Sequence, residues 1–207
     1  MERTLGPTEL ARIPSADEKL VLARQQVGSI FCFMGAPLLE DADLISVAAD
    51  WADGARVIAA QPDVPRNLTA LLVDANASIL TGTLTITGVD AQGRPVVEVM
   101  TVAAGVGLAF TGTKIFARVD TAVITDTTGV VNAGADQLVI GVGSVIGLPV
   151  DIERAAEVMF AYLGGTLTTP DAVATGVSTS GVNLTSGTYD GTKLMSAIIQ
   201  PSRRIVA

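Results

Sequence analysis

The side chains able to do chemistry in this chain are almost all carboxylates and hydroxyls. Its 207 residues include no histidine and a single cysteine, Cys32. Without an imidazole, Ser–His and Cys–His catalysis and histidine metal sites are excluded, and one thiol cannot form an intrachain disulfide or a Cys₄ zinc site. Cys32 lies within the apolar run 27–39, which predicts a buried thiol. We expect no cofactor.

The acidic residues offer two kinds of candidate site. Carboxylates could hold a hard cation such as Ca²⁺, but their order lacks the twelve-residue loop with a closing glutamate, and a solvated acidic face is favoured. The candidate ligands are Glu40, Asp41, Asp43, Asp50 and Asp53. A glycosidase needs two facing carboxylates. Glu98, Glu153 and Glu157 are available, but nothing in the sequence places them together.

The glycines of residues 141–147, GVGSVIG, are similar to a dinucleotide-binding loop. Their spacing is GxGxxxG, and Pro149 follows where a phosphate-binding helix should run. We therefore interpret these glycines as permitting a tight crossing before the next strand.

Charge and composition exclude further classes of function. The net charge is −8 and the pI about 4.4, so a nucleic-acid partner is not expected. The apolar run 27–39 is too short for a membrane span, which needs about 20 residues. It also lacks the short basic leader of a signal peptide. We expect no membrane partner and synthesis in a reducing cytoplasm.

A β-hairpin is the clearest element that the sequence predicts. Residues 83–87, TLTIT, alternate so that Leu84 and Ile86 face a core while the threonines face outward. Residues 90–93 form a turn in which Gly93 takes a positive φ, and residues 95–102 return antiparallel. Further strands are predicted at 67–74, 114–125, 137–141, 158–163 and 193–200, with turns at 127–129, 164–165 and 190–191.

The first 60 residues are predicted to differ from the rest of the chain in secondary structure. Residues 1–14 are expected to form an extended arm, and residues 16–26 a short helix capped by Ser15 and Glu18. Leu20, Ala23 and Val27 would share one stripe of that helix.

Residues 28–60 remain open between helix and strand. We expect the apolar run 30–34 to be buried against the domain or a neighbour, and Trp51 to be a packing residue.

These patterns predict an all-β protein. Its main unit, residues 61–207, would be an antiparallel β-sandwich or a jelly-roll-like domain. Residues 1–60 would contribute an extended N-terminal arm, the short helix and the mixed segment.

Four segments follow one another over about residues 64–202. They are a proline-led strand with the hairpin (VPRNLTALLVDANASILTGTLTITGVDAQGRPVVEVMTV), a following strand (GTKIFARVDTAVIT), a glycine-rich segment (QLVIGVGSVIGLPVDI) and a closing turn with a final strand (LTSGTYDGTKLMSAIIQPS). Taken in this order, the four segments resemble structural proteins of tailed-bacteriophage virions, of the capsid decoration or cement type.

The resemblance implies a protein without enzymatic activity, made in a bacterial host and placed on the capsid surface of the virion. Its partners would be the major capsid protein and other copies of itself, in a homotrimer or homodimer. The residues expected to serve assembly are Leu5, Pro7, Leu10, Ile13, Leu20, Phe31, Phe33 and Trp51.

Two other functions stay open. A head–tail connector or tail-tube component would also be structural but would build a ring. A host-surface glycan-binding module would need a groove lined by aromatic residues, for which Trp51, Tyr162 and Tyr189 are the best candidates, and aromatic residues make up only 4% of the chain.

Overall fold

The computed structural model describes residues 29–103, 108–168, 170–176, 178–184 and 189–200. This part of the chain is built from antiparallel strands and a single 3₁₀ turn, Ala155–Glu157. The strands are β1 Ile30–Gly35, β2 Asp41–Asp50, β3 Gly54–Ala55, β4 Arg66–Val73, β5 Ile79–Val89, β6 Pro95–Ala103, β7 Leu108–Phe116, β8 Arg118–Gly129, β9 Gln137–Gly147, β10 Val158–Leu163, β11 Thr166–Thr168, β12 Pro170–Ala174, β13 Gly181–Leu184 and β14 Met195–Ile199.

The predicted hairpin, β5 and β6, forms one side of the first sheet, which has the order β3-β8-β5-β6, so that β6 is an edge strand. Strands β5 and β6 pair without a register break from Val89↔Pro95 to Thr81↔Ala103. Leu84 and Ile86 are buried. Gly93 has φ +77° in the connecting turn. The hairpin, its turn and its inward face are therefore confirmed.

A six-stranded sheet packs against the hairpin sheet. Its order is β12-β13-β9-β4-β7, and β2 also pairs with β9. The two sheets enclose the larger core, which includes Leu68, Leu72 and Ile140 from one sheet and Leu84 and Ile124 from the other. The fold is thus a mainly antiparallel β structure of the sandwich type, as the sequence predicted.

A third sheet, with the order β1-β14-β10-β11, is smaller. Its inner face forms a second core with residues from the end of the six-stranded sheet and the loop after it, such as Ile146, Leu148 and Val182. Strand β1 pairs along its length with β14, so the start and the end of the described chain meet in this sheet.

Some predicted elements are wrong in detail. Residues 114–125 do not form one strand, because the chain bends at Ala117 and crosses from β7 in the six-stranded sheet to β8 in the hairpin sheet. The predicted turn at 127–129 is instead the end of β8.

The glycines at 141–147 lie inside β9 rather than in a crossing after it. They permit close approach: a Cβ on Gly141 would lie 2.0 Å from the carbonyl oxygen of Asp41. Strand β2 can therefore lie against β9 there.

Residues 29–60, the described part of the segment 28–60 that the sequence left open, contain strands wherever they form regular structure. Strands β1, β2 and β3 pair with β14, β9 and β8 respectively. The predicted division at residue 60 therefore does not coincide with a gap between sheets. The predicted arm at 1–14 and the helix at 16–26 lie outside the described residues.

Candidate interaction surfaces

Most of the carboxylates considered for catalysis or metal binding accept hydrogen bonds from backbone amides. Asp50 accepts a hydrogen bond from the amide of Gly134 at 2.7 Å, and Asp53 accepts one from Thr127 at 3.2 Å. Within the described residues, no three His, Cys, Asp or Glu side chains are grouped to hold a metal ion.

Glu98 joins the two sheets at one edge. In β7, residues 112–114 face a single residue of β4, which leaves a bulge. The buried Glu98 Oε1 accepts hydrogen bonds from the bulge amides of Thr113 at 2.6 Å and Lys114 at 3.2 Å. Glu157 instead accepts from the amide of Glu153 at 3.1 Å. Glu98 thus has a structural role that links β6 to β7.

An Arg94 cluster fixes the hairpin turn to the rest of the molecule. Asp90 accepts from the amides of Gln92 and Arg94, both at 2.9 Å, and from the hydroxyl of Ser178 at 2.7 Å. Arg94 also pairs with Asp151, at 2.8 Å between Nη2 and Oδ1. Burial by itself would raise the pKa of Asp90, but the hydrogen bonds from Ser178 and Arg94 outweigh it and lower that pKa.

The central part of the outer side of the hairpin sheet is a surface of threonine and valine, and the exposed Arg118–Asp120 ion pair lies beside it. Cross-strand pairs place Val99, Thr85 and Val123 in one row, with similar rows on either side. Hydroxyls pair between strands, as Thr87 and Thr121 do at 2.7 Å. We call this surface the Thr/Val face; its members are Thr83, Thr85, Thr87, Val97, Val99, Thr101, Thr121, Val123 and Thr125.

The absence of charge on the Thr/Val face contrasts with the charge of the surrounding chain. Residues 29–200 contain 17 acidic and 7 basic residues, a formal net charge of −10. Val97 and Val99 are more than half exposed, at 53% and 57%. The nine side chains of the face are uncharged, while the carboxylates of Asp120 and Asp126 lie at its border, paired with Arg118 and with the hydroxyl of Thr125.

The outer side of the small sheet is a second open surface, rich in aromatic residues. Phe31 pairs with Ile198 and Ile198 with Phe160, while Phe33, Ser196, Tyr162 and Leu167 form the next row. We call this surface the aromatic face; its members are Phe31, Phe33, Phe160, Tyr162, Leu167 and Ile198, with Ser196 between them.

The two sides of the small sheet differ sharply in burial. Phe31 is 65% and Phe33 is 58% exposed, while Cys32 between them is buried. Cys32 is buried and free, which confirms the buried-thiol interpretation, and this burial raises the pKa of its thiol. Of the run 30–34, the domain itself buries Cys32 and Met34, and strand alternation turns Phe31 and Phe33 outward. Burial of these two against a neighbour stays a prediction.

The other predicted assembly residues fall into two groups. Trp51 is 0% exposed, and its indole nitrogen donates to the Thr127 hydroxyl at 2.9 Å. It is a packing residue and has no surface to offer a partner. Leu5, Pro7, Leu10, Ile13 and Leu20 lie outside the described residues.

The Thr/Val face and part of the aromatic face were not predicted as surfaces. The alternation in residues 83–87 was a usable signal for the Thr/Val face, whereas residues 30–34, IFCFM, are apolar throughout and do not show which side chains face outward. The partners Phe160, Tyr162 and Ile198 could not be found, because strand pairing across more than 120 residues leaves no local pattern.

The aromatic residues considered for glycan binding are mostly buried. Trp51 and Tyr189 lie in the two cores, and of the three only Tyr162 reaches an open surface.

No helix among the described residues is long and apolar enough to cross a membrane.

Comparison with known proteins adds no relative. No protein-family model, no curated protein and no solved structure matches this chain.

Proposed function

We propose that this chain is a structural protein of a tailed-bacteriophage virion that binds the outside of the capsid and stabilises it by bridging major capsid subunits. The order of the four segments that resemble such proteins supports this proposal. The observation that carries it is the Thr/Val face, an uncharged sheet surface on a strongly acidic body.

The chemistry of the Thr/Val face suits a contact of this kind. Its half-exposed valines gain from leaving water, at about 25 cal/mol per Å² of apolar surface. Its threonines can exchange hydrogen bonds with water for bonds to a partner.

The size of the Thr/Val face calls for additional contacts. A standard protein interface has about 20–30 residues on each side, and this face has nine. We propose that an N-terminal arm and self-association into a trimer or dimer supply the remainder. Several modest contacts then act together through a raised effective concentration.

Binding to shells that lack this protein tests the proposal. The purified chain is mixed with such shells, and the pelleted fraction is measured after sedimentation. The chain should sediment with the shells, and Val99→Asp should lower occupancy at least tenfold. Val57→Asp is the matched control, because Val57 is 81% exposed and lies outside the face. Equal binding by both variants would refute this use of the face.

Sedimentation of the chain without shells distinguishes a decoration protein from the main alternative, a connector or tail-tube component. A connector or tail-tube component would form rings by itself in the absence of shells. A decoration protein should sediment alone as a species no larger than a trimer.

A further inference from the structure

The small sheet carries no charged residue in any of its four strands. Their sequences are IFCFMG for β1, VMFAYL for β10, TLT for β11 and MSAII for β14. The nearest charged residues that precede β10 and β14 are Glu157, which is buried, and Lys193, which pairs with Asp190 at 3.1 Å. The centre of this sheet can therefore contact another molecule without placing a charge in the contact.

The outer side of this sheet, the aromatic face, is open and almost wholly apolar. Phe31, Phe33 and Leu167 are each more than half exposed. The hydroxyl groups on the face are those of Tyr162 and Ser196. Because polar groups must keep hydrogen bonds when they are buried, a sugar or a nucleotide is a poor occupant of this face. Open apolar patches of this kind mark contacts between proteins.

Two half-exposed apolar side chains extend the aromatic face at its borders. Met159 lies at the bulge of β10 beside Phe160, and Leu194 directly precedes β14. If a large side chain has about 200 Å² of surface, the exposed parts of the six most open ones amount to about 600 Å². These six are Phe31, Phe33, Met159, Phe160, Leu167 and Leu194.

This area matches what a second copy of the chain would bury. Two such faces in contact remove about 1,200 Å² from water, which is the lower end of the range for specific and stable protein interfaces. Two sheets pack face to face about 10 Å apart with their side chains interdigitated. A contact between identical faces has twofold symmetry and closes at two copies.

Charge also favours a second copy. Residues 29–200 carry a formal net charge of −10, so most contacts between two copies would bring carboxylates together. The uncharged small sheet avoids this repulsion at the contact itself.

We infer that two copies of this chain form a twofold-symmetric dimer by packing their aromatic faces against each other. The dimer rests on the self-association included in the proposed function and assigns a surface to it. The Thr/Val face belongs to the hairpin sheet and stays free for a capsid subunit.

Analytical ultracentrifugation of the full chain without shells tests the dimer. The wild type should sediment as a dimer, and Phe33→Asp should weaken dimerisation at least tenfold, because it buries a charge in the contact. Val57→Asp is the matched control, since Val57 is exposed and lies outside both faces. A monomeric or trimeric wild type, or equal dimerisation by the two variants, would overturn the inference. A monomeric wild type that still binds shells would overturn the dimer alone and leave the proposed function standing.

Hydroxyl-radical footprinting of the wild type locates the contact without any substitution. Modification of Leu167 should be low at concentrations where the chain is dimeric and rise several-fold on dilution to the monomer. Leu80 is the matched control, because it is 51% exposed, close to the 58% of Leu167, and lies on another sheet. Its modification should not change on dilution. Constant modification of Leu167 in a chain that dimerises would place the contact elsewhere and contradict the inference.

Discussion

Single polar residues hold the irregular parts of this chain by completing backbone hydrogen bonds. Asp74 and Asp136 are fully buried carboxylates of this kind. Asp74 accepts from the amides of Ser78 and Ile79, at 3.0 and 3.2 Å. Asp136 accepts from the amide of Asn132 at 2.7 Å. In a chain rich in Asp, a carboxylate is therefore more often a loop-forming group than a reactive one.

Gly93 is the residue on which the hairpin turn depends. It has φ +77°, and a Cβ built there meets no atom within 4 Å. The cost of Gly93→Val is therefore backbone strain alone, and we expect a loss of about 1 kcal/mol or slightly more in unfolding free energy. Urea denaturation measures it. An unchanged midpoint would mean that the turn does not require its positive φ.

Asp136 should contribute to acid sensitivity. The hydrogen bonds from Asn132 lower its pKa despite burial, which acts in the opposite sense. Its unfolded pKa is about 3.9, so the stabilisation is present above that pH and is lost as the pH falls through the lower folded value. Asp136→Asn should flatten the fall in stability below about pH 4. Glu40→Gln, at an exposed site, is the control and should keep the slope of the wild type.

At the scale of strands, the sequence predicted elements whose two sides differ and missed elements defined by their neighbours. Because residues 83–87 alternate, the prediction of their strand, of its buried side and of the turn that follows was correct. The break at Ala117 was missed because β7 and β8 have similar composition and only their partner sheets differ. The glycines of β9 resembled a loop in the sequence. Their role is to let β2 lie close to β9, and the sequence of β9 alone does not show which strand lies beside it.

Glu98 is the side chain that ties β6 to β7, and its removal should loosen that edge. Glu98→Ala leaves the amides of Thr113 and Lys114 without their acceptor, at an expected cost of about 1–3 kcal/mol. Glu98→Gln keeps an acceptor oxygen and should lose less. Hydrogen exchange at these two amides measures the effect directly. Equal protection in wild type and Glu98→Ala would show that the edge does not need this contact.

At the scale of the molecule, β9 belongs to both cores. Leu138 and Ile140 lie in the larger core, and Ile146 lies in the smaller one. Composition was enough to predict an all-β fold with an aliphatic core. The closure of the small sheet by β1 and β14 could not be predicted, because it joins strands about 165 residues apart in the sequence.

The shared strand predicts that both cores unfold together. Ile146→Ala should destabilise the protein by about 2–5 kcal/mol. Trp51 fluorescence reports on the larger core, and exchange of the Ala197 amide reports on the smaller. The unfolding free energies reported by these two probes should fall by the same amount if the cores are coupled. A loss of protection at Ala197 with unchanged Trp51 fluorescence would show that the small sheet unfolds separately.

The position of the protein on the particle can be seen by imaging. Shells lacking this protein are incubated with the purified chain and imaged by electron cryo-microscopy with symmetry averaging. We predict added density on the outer surface, repeated between capsid subunits, that accommodates the sandwich with its Thr/Val face toward the shell. Density confined to the portal or tail, or shells without added density, would refute the proposed role.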